Sequence, residues 1–344
     1  MRKTSCLLAL LLLASSVFAC TDFAFKAKDG TVVNGRSMEF PIDLKSQIMI
    51  VPRGTLFTTE VNAVTPGISW ETTYAFVGVN AFGLKNCYVD GFNEKGLAVG
   101  GLMYTGAQYQ APEAGKSLPL DGLGAWLLGN FATVDEVKAA LPSVAICPSV
   151  VKKLAGMGLH LSCHDAGGKN LVVEFIDGKV NVYDNPIGVL TNRPDFPWQM
   201  DNLRNYVNLK SLDVDSCSIN GVTIEATGVG SGMHGLPGDW TPPSRFVRTA
   251  YCLDAALKPK NSKEAVNLAE HLLNMIDIPK GAIKEPTKYS PLVYEYGYAQ
   301  WAVIKDLANK VLHYRTYDNT AWKSVSLMKY PLTPGSPVKT LPLD

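Results

Sequence analysis

Residue 20 is a cysteine, and what precedes it decides what it can do. Arg2 and Lys3 stand before an apolar run from Cys6 to Ala14, and the short segment Ser15 to Ala19 ends in a small residue. That is the pattern of a secretory signal peptide over residues 1–19, cut after Ala19. The cut would leave Cys20 with a thiol and a free α-amine, groups that ordinarily titrate at about 8.5 and about 7.7–8.0. The amine can then take the thiol proton, directly or through water. One residue thus carries nucleophile and base, with no histidine required. Val17-Phe18-Ala19-Cys20 also resembles a lipoprotein cleavage site, where the thiol is alkylated and the amine acylated. Lipid there would abolish the chemistry and leave a lipid-anchored, non-catalytic binding protein.

Sixteen residues on, Gly35-Arg36-Ser37-Met38-Glu39 brings a guanidinium and a carboxylate within one strand and turn of Cys20. A fixed cation beside a thiol favours the thiolate, and a carboxylate can hold an ammonium or a water. Taken alone, Arg36 and Glu39 would also suit a surface ion pair.

Short alternating segments must position these groups. Asp22 to Ala27, the Lys28-Asp29-Gly30 turn and Thr31 to Asn34 read as a hairpin. A second is expected around Asn93-Glu94-Lys95-Gly96, and its glycine-rich strands imply close backbone approach. Gly122 to Ala140 reads as helical, and Leu159 to Leu190 returns to strands. Helices are expected over Arg245 to Leu257 and Lys263 to Ile276, the second with Val266, Leu268, Ala269, Leu272, Leu273 and Ile276 on one face. Val293 to Tyr298, Ala302 to Asp306, Val311 to Thr316 and Lys323 to Leu327 read as a strand meander. Strands, then helices, then strands imply an α+β layered fold. With no Pro/Ser/Gly-rich linker and no internal repeat, residues 20–344 read as one domain.

The whole chain carries 32 Lys+Arg against 31 Asp+Glu, a formal charge of +1 that becomes −1 once Arg2 and Lys3 are removed. No basic bias points to nucleic acid or an anionic membrane, and a small neutral or amphiphilic ligand fits better. No stretch approaches the roughly 20 apolar residues of a permanent span. The chain is expected to be exported, periplasmic or secreted, and free of membrane unless Cys20 is lipidated. Of seven cysteines, Cys6 falls in the signal segment. If Cys20 is kept for chemistry, Cys87, Cys147, Cys163, Cys217 and Cys252 could form at most two disulfides or stay reduced.

These residues carry a resemblance. Cys20-Thr21, Gly35-Arg36, Asn93-Glu94-Lys95-Gly96-Leu97, Thr191-Asn192-Arg193-Pro194, Asn202-Leu203-Arg204-Asn205-Tyr206, Gly235-Leu236-Pro237-Gly238-Asp239, Ser244-Arg245-Phe246, Tyr298-Ala299-Gln300-Trp301 and Tyr314-Arg315-Thr316-Tyr317 follow in order and spacing. Over nearly the whole of residues 20–344 the chain resembles the choloylglycine hydrolase and penicillin V acylase family of N-terminal-nucleophile hydrolases. The resemblance implies a four-layer αββα sandwich with Cys20 opening a central strand. It implies hydrolysis of a linear non-peptide amide: a conjugated bile salt, the side chain of a phenoxyacetyl-type penicillin, or an acyl homoserine lactone. It places Arg36 beside the thiol, a side-chain N–H of Asn192 and the backbone N–H of Met103 at the oxyanion, and Arg245 in the same charged cluster. Glu39 stands where that family usually has aspartate at the α-amine. Met103 stands where bile salt hydrolases typically show asparagine and some penicillin V acylases tyrosine, which turns expectation away from a dedicated bile salt hydrolase. A methionine there suits an apolar acyl group. Phe40, Trp240 and Trp301 are expected to line the acyl pocket. No metal and no cofactor are implied, and a homotetramer is the assembly that many relatives suggest.

Cys163-His164-Asp165 invites a metal reading. Consecutive strand residues point to opposite faces, however, and no second Cys/His pair stands at ligand spacing. Gly228-Val229-Gly230-Ser231-Gly232 lacks the Lys-Ser/Thr of a phosphate loop and the glycine two before serine of a nucleophile elbow. It reads as a loop near the site. His160, His234, His271 and His313 show no partner pattern.

Overall fold

The computed structural model describes residues 19–62, 65–154, 156–287 and 290–343. The expected signal segment, apart from Ala19, lies outside the described residues. Two antiparallel sheets stack face to face. In the first, the strands run in the order Val189–Leu190, Ala19–Lys26, Val32–Phe40, Ser290–Asp306, Val311–Thr316 and Lys323–Ser326, with Ile283–Thr287 also pairing to Ser290–Asp306. The second runs Lys179–Asp184, Asn170–Ile176, Leu159–His164, Ala98–Met103, Tyr88–Asn93, Phe76–Asn80, Gln47–Val51 and Lys339–Pro342. Ala19–Lys26 and Val32–Phe40 are the expected hairpin, and Tyr88–Asn93 with Ala98–Met103 is the second.

Among the described residues there are five α-helices: α1 (Leu120–Asn130), α2 (Val134–Ala140), α3 (Phe196–Asn202), α4 (Pro242–Ala255) and α5 (Ser262–Asn274). α1 packs on Tyr88–Asn93 and Ala98–Met103, whereas α4 and α5 pack on the first sheet. Helix, sheet, sheet, helix is the four-layer αββα arrangement of an α+β fold. A strand inside such a sandwich has no solvent face, and all nine residues of Val32–Phe40 are buried. Period-2 alternation therefore sorts its side chains between the sheets and the helices rather than between core and water. Among the described residues no helix is long and apolar enough to cross a membrane.

Two element boundaries differ from expectation for identifiable reasons. The helix expected over 122–140 is two helices. Thr133 accepts from the Glu136 backbone N–H at 3.2 Å, and Glu136 reaches back to the Ala132 N–H at 2.7 Å. The Thr133 cap, with Glu136 reaching back to the residue before it, is a local start signal that divides the segment. Conversely, the first two meander strands are one strand, Ser290–Asp306, whose pairing to Val32–Phe40 shifts register between Ala299 and Trp301. The bulge absorbs one residue and breaks the alternation without ending the strand.

Candidate active site

Cys20 pairs with Met38 and Asp22 with Arg36 across the central hairpin. Cross-strand partners share a face, so Cys20, Asp22, Arg36 and Met38 all point into the space between the sheets. Ala19, Thr21, Ser37 and Glu39 point to the helices. The alternation thus divides the residues expected around the nucleophile into two groups.

Between the sheets, the Arg36 guanidinium crosses to the facing strands. It donates to the Val89 carbonyl, to Asp90 Oδ2 at 3.1 Å and to the Gly101 carbonyl at 2.5 Å. Its Nη2 lies 4.0 Å from Cys20 Sγ, which also sits 3.7 Å from the Met38 sulfur. The guanidinium is thus placed to stabilise negative charge that develops on the sulfur. Asp90 is shared with Lys305, whose Nζ lies 2.8 Å from both carboxylate oxygens. All three charged side chains are fully buried. Burial lowers the Arg36 pKa, and Asp90 and the Cys20 sulfur more than restore it, so the guanidinium stays charged. The glycines of this region serve close approach, as expected. A Cβ on Gly100 would stand 3.0 Å from Asp22 Oδ2 and 3.6 Å from Arg36 Cδ.

Asp22 itself was not anticipated as a charged partner of the site. Its Oδ1 accepts from Ser162 Oγ at 2.6 Å and from Asn34 Nδ2 at 3.1 Å, and it meets His164 Nε2 at 2.5 Å. Burial would raise its pKa, yet His164, Lys305 and the Ser162 hydroxyl together hold the carboxyl well below the usual range. His164 is thus partnered by Asp22, while Cys163 faces the α1 side of its sheet and Asp165 Oδ2 accepts the Val134 N–H at the start of α2. Among the described residues no group of three or more His, Cys, Asp or Glu could hold a metal ion.

On the helix side, α4 delivers Arg245, wholly buried, to the base of the nucleophile strand. It donates to the Cys20 carbonyl at 2.5 Å, to Thr21 Oγ1 at 2.6 Å and to Asn192 Oδ1 at 2.7 Å. The same Asn192 oxygen accepts the Cys20 backbone N–H at 2.7 Å, and Asn192 Nδ2 donates to the Met103 carbonyl at 2.8 Å. Those contacts fix the orientation of the amide and leave its second N–H uncommitted. Met103 is opposite Leu159, whose N–H goes to Tyr109 Oη at 2.8 Å, while the adjoining Tyr104 N–H goes to the Gly158 carbonyl at 2.8 Å. The Met103–Leu159 pair is therefore the non-hydrogen-bonded kind, and both backbone groups of Met103 point towards Asn192.

Glu39 stands across from Ala19. Neither of its carboxylate oxygens has a hydrogen-bond partner among the described residues. Burial pushes its pKa up, and the Arg245 and Arg36 charges pull it only part of the way back, to about 7. Its carboxylate lies on the face opposite Cys20 Sγ, with Arg245 rather than with the thiol.

Cys20 Sγ faces a cavity of about 50 Å³ walled by Met38, Phe40, Leu44, Phe82, Met103 and Leu159, with Asp121 at one margin. Phe40 and Met103 both line this cavity. Trp240 and Trp301 do not line it. The Trp301 ring lies 5.5 Å beneath the Arg36 guanidinium, and the Trp240 carbonyl accepts from Arg245 Nε at 2.9 Å. The Gly228–Gly232 loop does not line the cavity either, and its Gly230 N–H is tied to Asp213 at 2.8 Å. A larger cavity, about 680 Å³, opens beside Phe25 and Lys26 and holds none of these groups. The six described cysteines are all free thiols. Burial pushes Cys87 and Cys163 up to about 12, so neither competes as a nucleophile.

A cysteine opening a central strand between two sheets, with an arginine beside its sulfur and an asparagine on its amide, defines an N-terminal-nucleophile hydrolase fold. The family model of linear amide C-N hydrolases, choloylglycine hydrolase family, matches residues 20–340. The bile salt hydrolase/transferase of Clostridium perfringens is 33% identical over 328 residues, 93% of this chain and 96% of that one. The penicillin V acylase of Pectobacterium atrosepticum is 32% identical over 215 residues, covering 58% and 56%. A crystal structure of a variant conjugated bile acid hydrolase from Clostridium perfringens superposes with a TM-score of 0.83 at 30% identity, covering 94% of this chain and 97% of that one. The chain belongs to the choloylglycine hydrolase family, and it is an amide-bond hydrolase acting through a cysteine nucleophile in its N-terminal region.

Proposed function

We propose that the chain is exported, cut after Ala19, and hydrolyses N-acyl amides whose acyl part is apolar, with Cys20 as nucleophile and its own α-amine as base. The observation that carries this reading is the Asn192 side chain, which joins the Cys20 nitrogen to Met103 at the edge of an apolar cavity. Once the peptide bond is cut, the α-amine takes the thiol proton and the thiolate attacks the amide carbonyl carbon. The carbonyl oxygen becomes an oxyanion between the second Asn192 Nδ2–H and the Met103 backbone N–H. Donors of this kind contribute roughly 3–4 kcal/mol each. The Cys20 ammonium protonates the leaving amine, which departs as the thioester forms. Water, deprotonated by the α-amine, opens the thioester and regenerates the thiol. Glu39 receives the new ammonium charge, and Arg245 holds Asn192.

The relatives act on conjugated bile salts and on penicillin V, both amides with a large apolar acyl group, and the methionines of this cavity wall suit either. The test is a panel of glycocholate, taurocholate, penicillin V and acyl homoserine lactones, with amine release measured for protein that begins at Cys20. Hydrolysis of at least one is expected, and inertness towards all would overturn the reading.

Lipidation is the competing fate of Cys20. Sγ is wholly buried, 4.0 Å from Arg36 Nη2 and 3.7 Å from the Met38 sulfur, rather than at the surface where a membrane anchor would have to sit. An unmodified intact mass from residue 20 is expected, and a diacylglyceryl adduct would contradict it. The reading extends to a homotetramer, supported by the exposed Ile219, Val222 and Ile224 on the Ser216–Glu225 hairpin.

A further inference from the structure

His160 and Glu174 are wholly buried, lie on neighbouring strands of the second sheet, and have no part in the mechanism above. His160 Nε2 lies 2.9 Å from the Thr191 carbonyl oxygen, and Nδ1 lies 3.1 Å from Glu174 Oε1. A backbone carbonyl only accepts, so the hydrogen on Nε2 belongs to Thr191. A second hydrogen lies between Nδ1 and Oε1. The same Glu174 oxygen accepts the Phe196 N–H at 2.9 Å. The pair therefore grips both ends of the 191–196 turn, and Asn192 is the second residue of that turn. The His160 ring also packs on Tyr104, with centroids 5.0 Å apart, next to Met103. One buried side chain thus touches the neighbours of both proposed oxyanion donors.

We propose that His160 is a positioning residue, held by Glu174, that fixes the Thr191–Asn192 backbone so that the free N–H of Asn192 faces the oxyanion. The proposal rests on the oxyanion role of Asn192 set out above. It assigns the Nε2–H to Thr191 contact the effect on rate, and the Nδ1 to Glu174 contact the effect on stability. A preorganised donor acts on the transition state more than on bound substrate. Disturbing it lowers kcat and leaves KM alone.

Two substitutions separate the contacts. An asparagine amide nitrogen is as many bonds from Cα as Nδ1, and a glutamine amide nitrogen as many as Nε2. His160→Asn keeps the donor to Glu174 and loses the one to Thr191, whereas His160→Gln does the reverse. His160→Asn is expected to lower kcat by at least about tenfold with KM within about twofold of wild type. Iodoacetamide should alkylate Cys20 at an unchanged rate. His160→Gln should keep kcat within about threefold while melting at the lower temperature of the two, because it leaves a buried carboxylate with one partner fewer. Activity and stability then rank in opposite order, which a merely structural histidine would not produce. Equal kcat losses in the two variants, a loss confined to KM, or full activity in His160→Asn would overturn the proposal. Crystal structures of the variants decide the same point without turnover. The Asn192 Nδ2 to Met103 carbonyl contact of 2.8 Å should persist in His160→Gln and open in His160→Asn, and its persistence in both would equally overturn the proposal. A wild-type protein inert on the whole amide panel would instead sink the proposed function.

Discussion

Replacing Glu39 by glutamine in a chain that retains Ala19 should remove one loss of stability that otherwise develops as pH rises from about 4.5 to about 7. With Ala19 attached there is no α-ammonium, and the Glu39 carboxyl is held at about 7 against an ordinary 4.5. Below pH 4.5 the carboxyl keeps its proton folded or unfolded, and its contribution to stability is fully present. As pH rises through the window the unfolded chain releases the proton while the folded chain retains it, so stability is lost until the folded group also ionises. A shift of that size corresponds to about 3 kcal/mol. The assay is urea denaturation from pH 4.5 to 8, comparing Cys20→Ala with Cys20→Ala/Glu39→Gln, both with Ala19 in place. The second protein should gain on the first by about 3 kcal/mol across the window. Parallel pH profiles, or a first protein that gains stability as pH rises relative to the second, would refute the reasoning. In a chain beginning at Cys20 the ammonium lowers the carboxyl pKa, and the difference should shrink.

Asp22→Asn removes the anion that His164 and Ser162 hold, and should cost about 3–5 kcal/mol at pH 7 in denaturant melts. Because the Asp22 pKa is depressed, its stabilisation is present above the ordinary 3.8 and lost as pH falls below it. The variant should therefore show less acid destabilisation than wild type; an equal loss between pH 4 and 2 would count against the pairing. Gly100→Ala places a Cβ 3.0 Å from Asp22 Oδ2 beside the Arg36 stem. About 1–3 kcal/mol of stability should be lost, with slower alkylation of Cys20 as Arg36 is displaced. An alanine variant as stable and reactive as wild type would show that the strand does not need the glycine.

Cys20, Arg36 and Glu39 were legible in the sequence because hairpin neighbours lie close along the chain and their chemistry is recognisable at that spacing. Their separation onto opposite faces also follows from counting, once the two strands are known to pair Cys20 with Met38. Asn192 and Arg245 are 172 and 225 residues from Cys20 and came only through the family resemblance. His160, Glu174, Asp90 and Lys305 were not legible. Each is an ordinary polar residue in its own strand, and what marks it is a partner on another strand or on the facing sheet. Asp22 carries a signal of its own, since a charged residue two positions after the nucleophile must share its buried face. The Thr133 cap is likewise readable, and divides the expected helix. The register shift at Ala299 to Trp301 leaves no such mark, because it depends on pairing with Val32–Phe40.

The central claim is that Cys20 acts only as the first residue of the chain. Amine release from the most reactive amide of the panel should be measured for three purified, folded proteins: one beginning at Cys20, the same chain with Cys20→Ala, and one retaining Ala19 with an uncleavable extension. Turnover in the first alone is the predicted result. Comparable turnover in the alanine variant, or in the chain whose Cys20 nitrogen remains an amide, would contradict it.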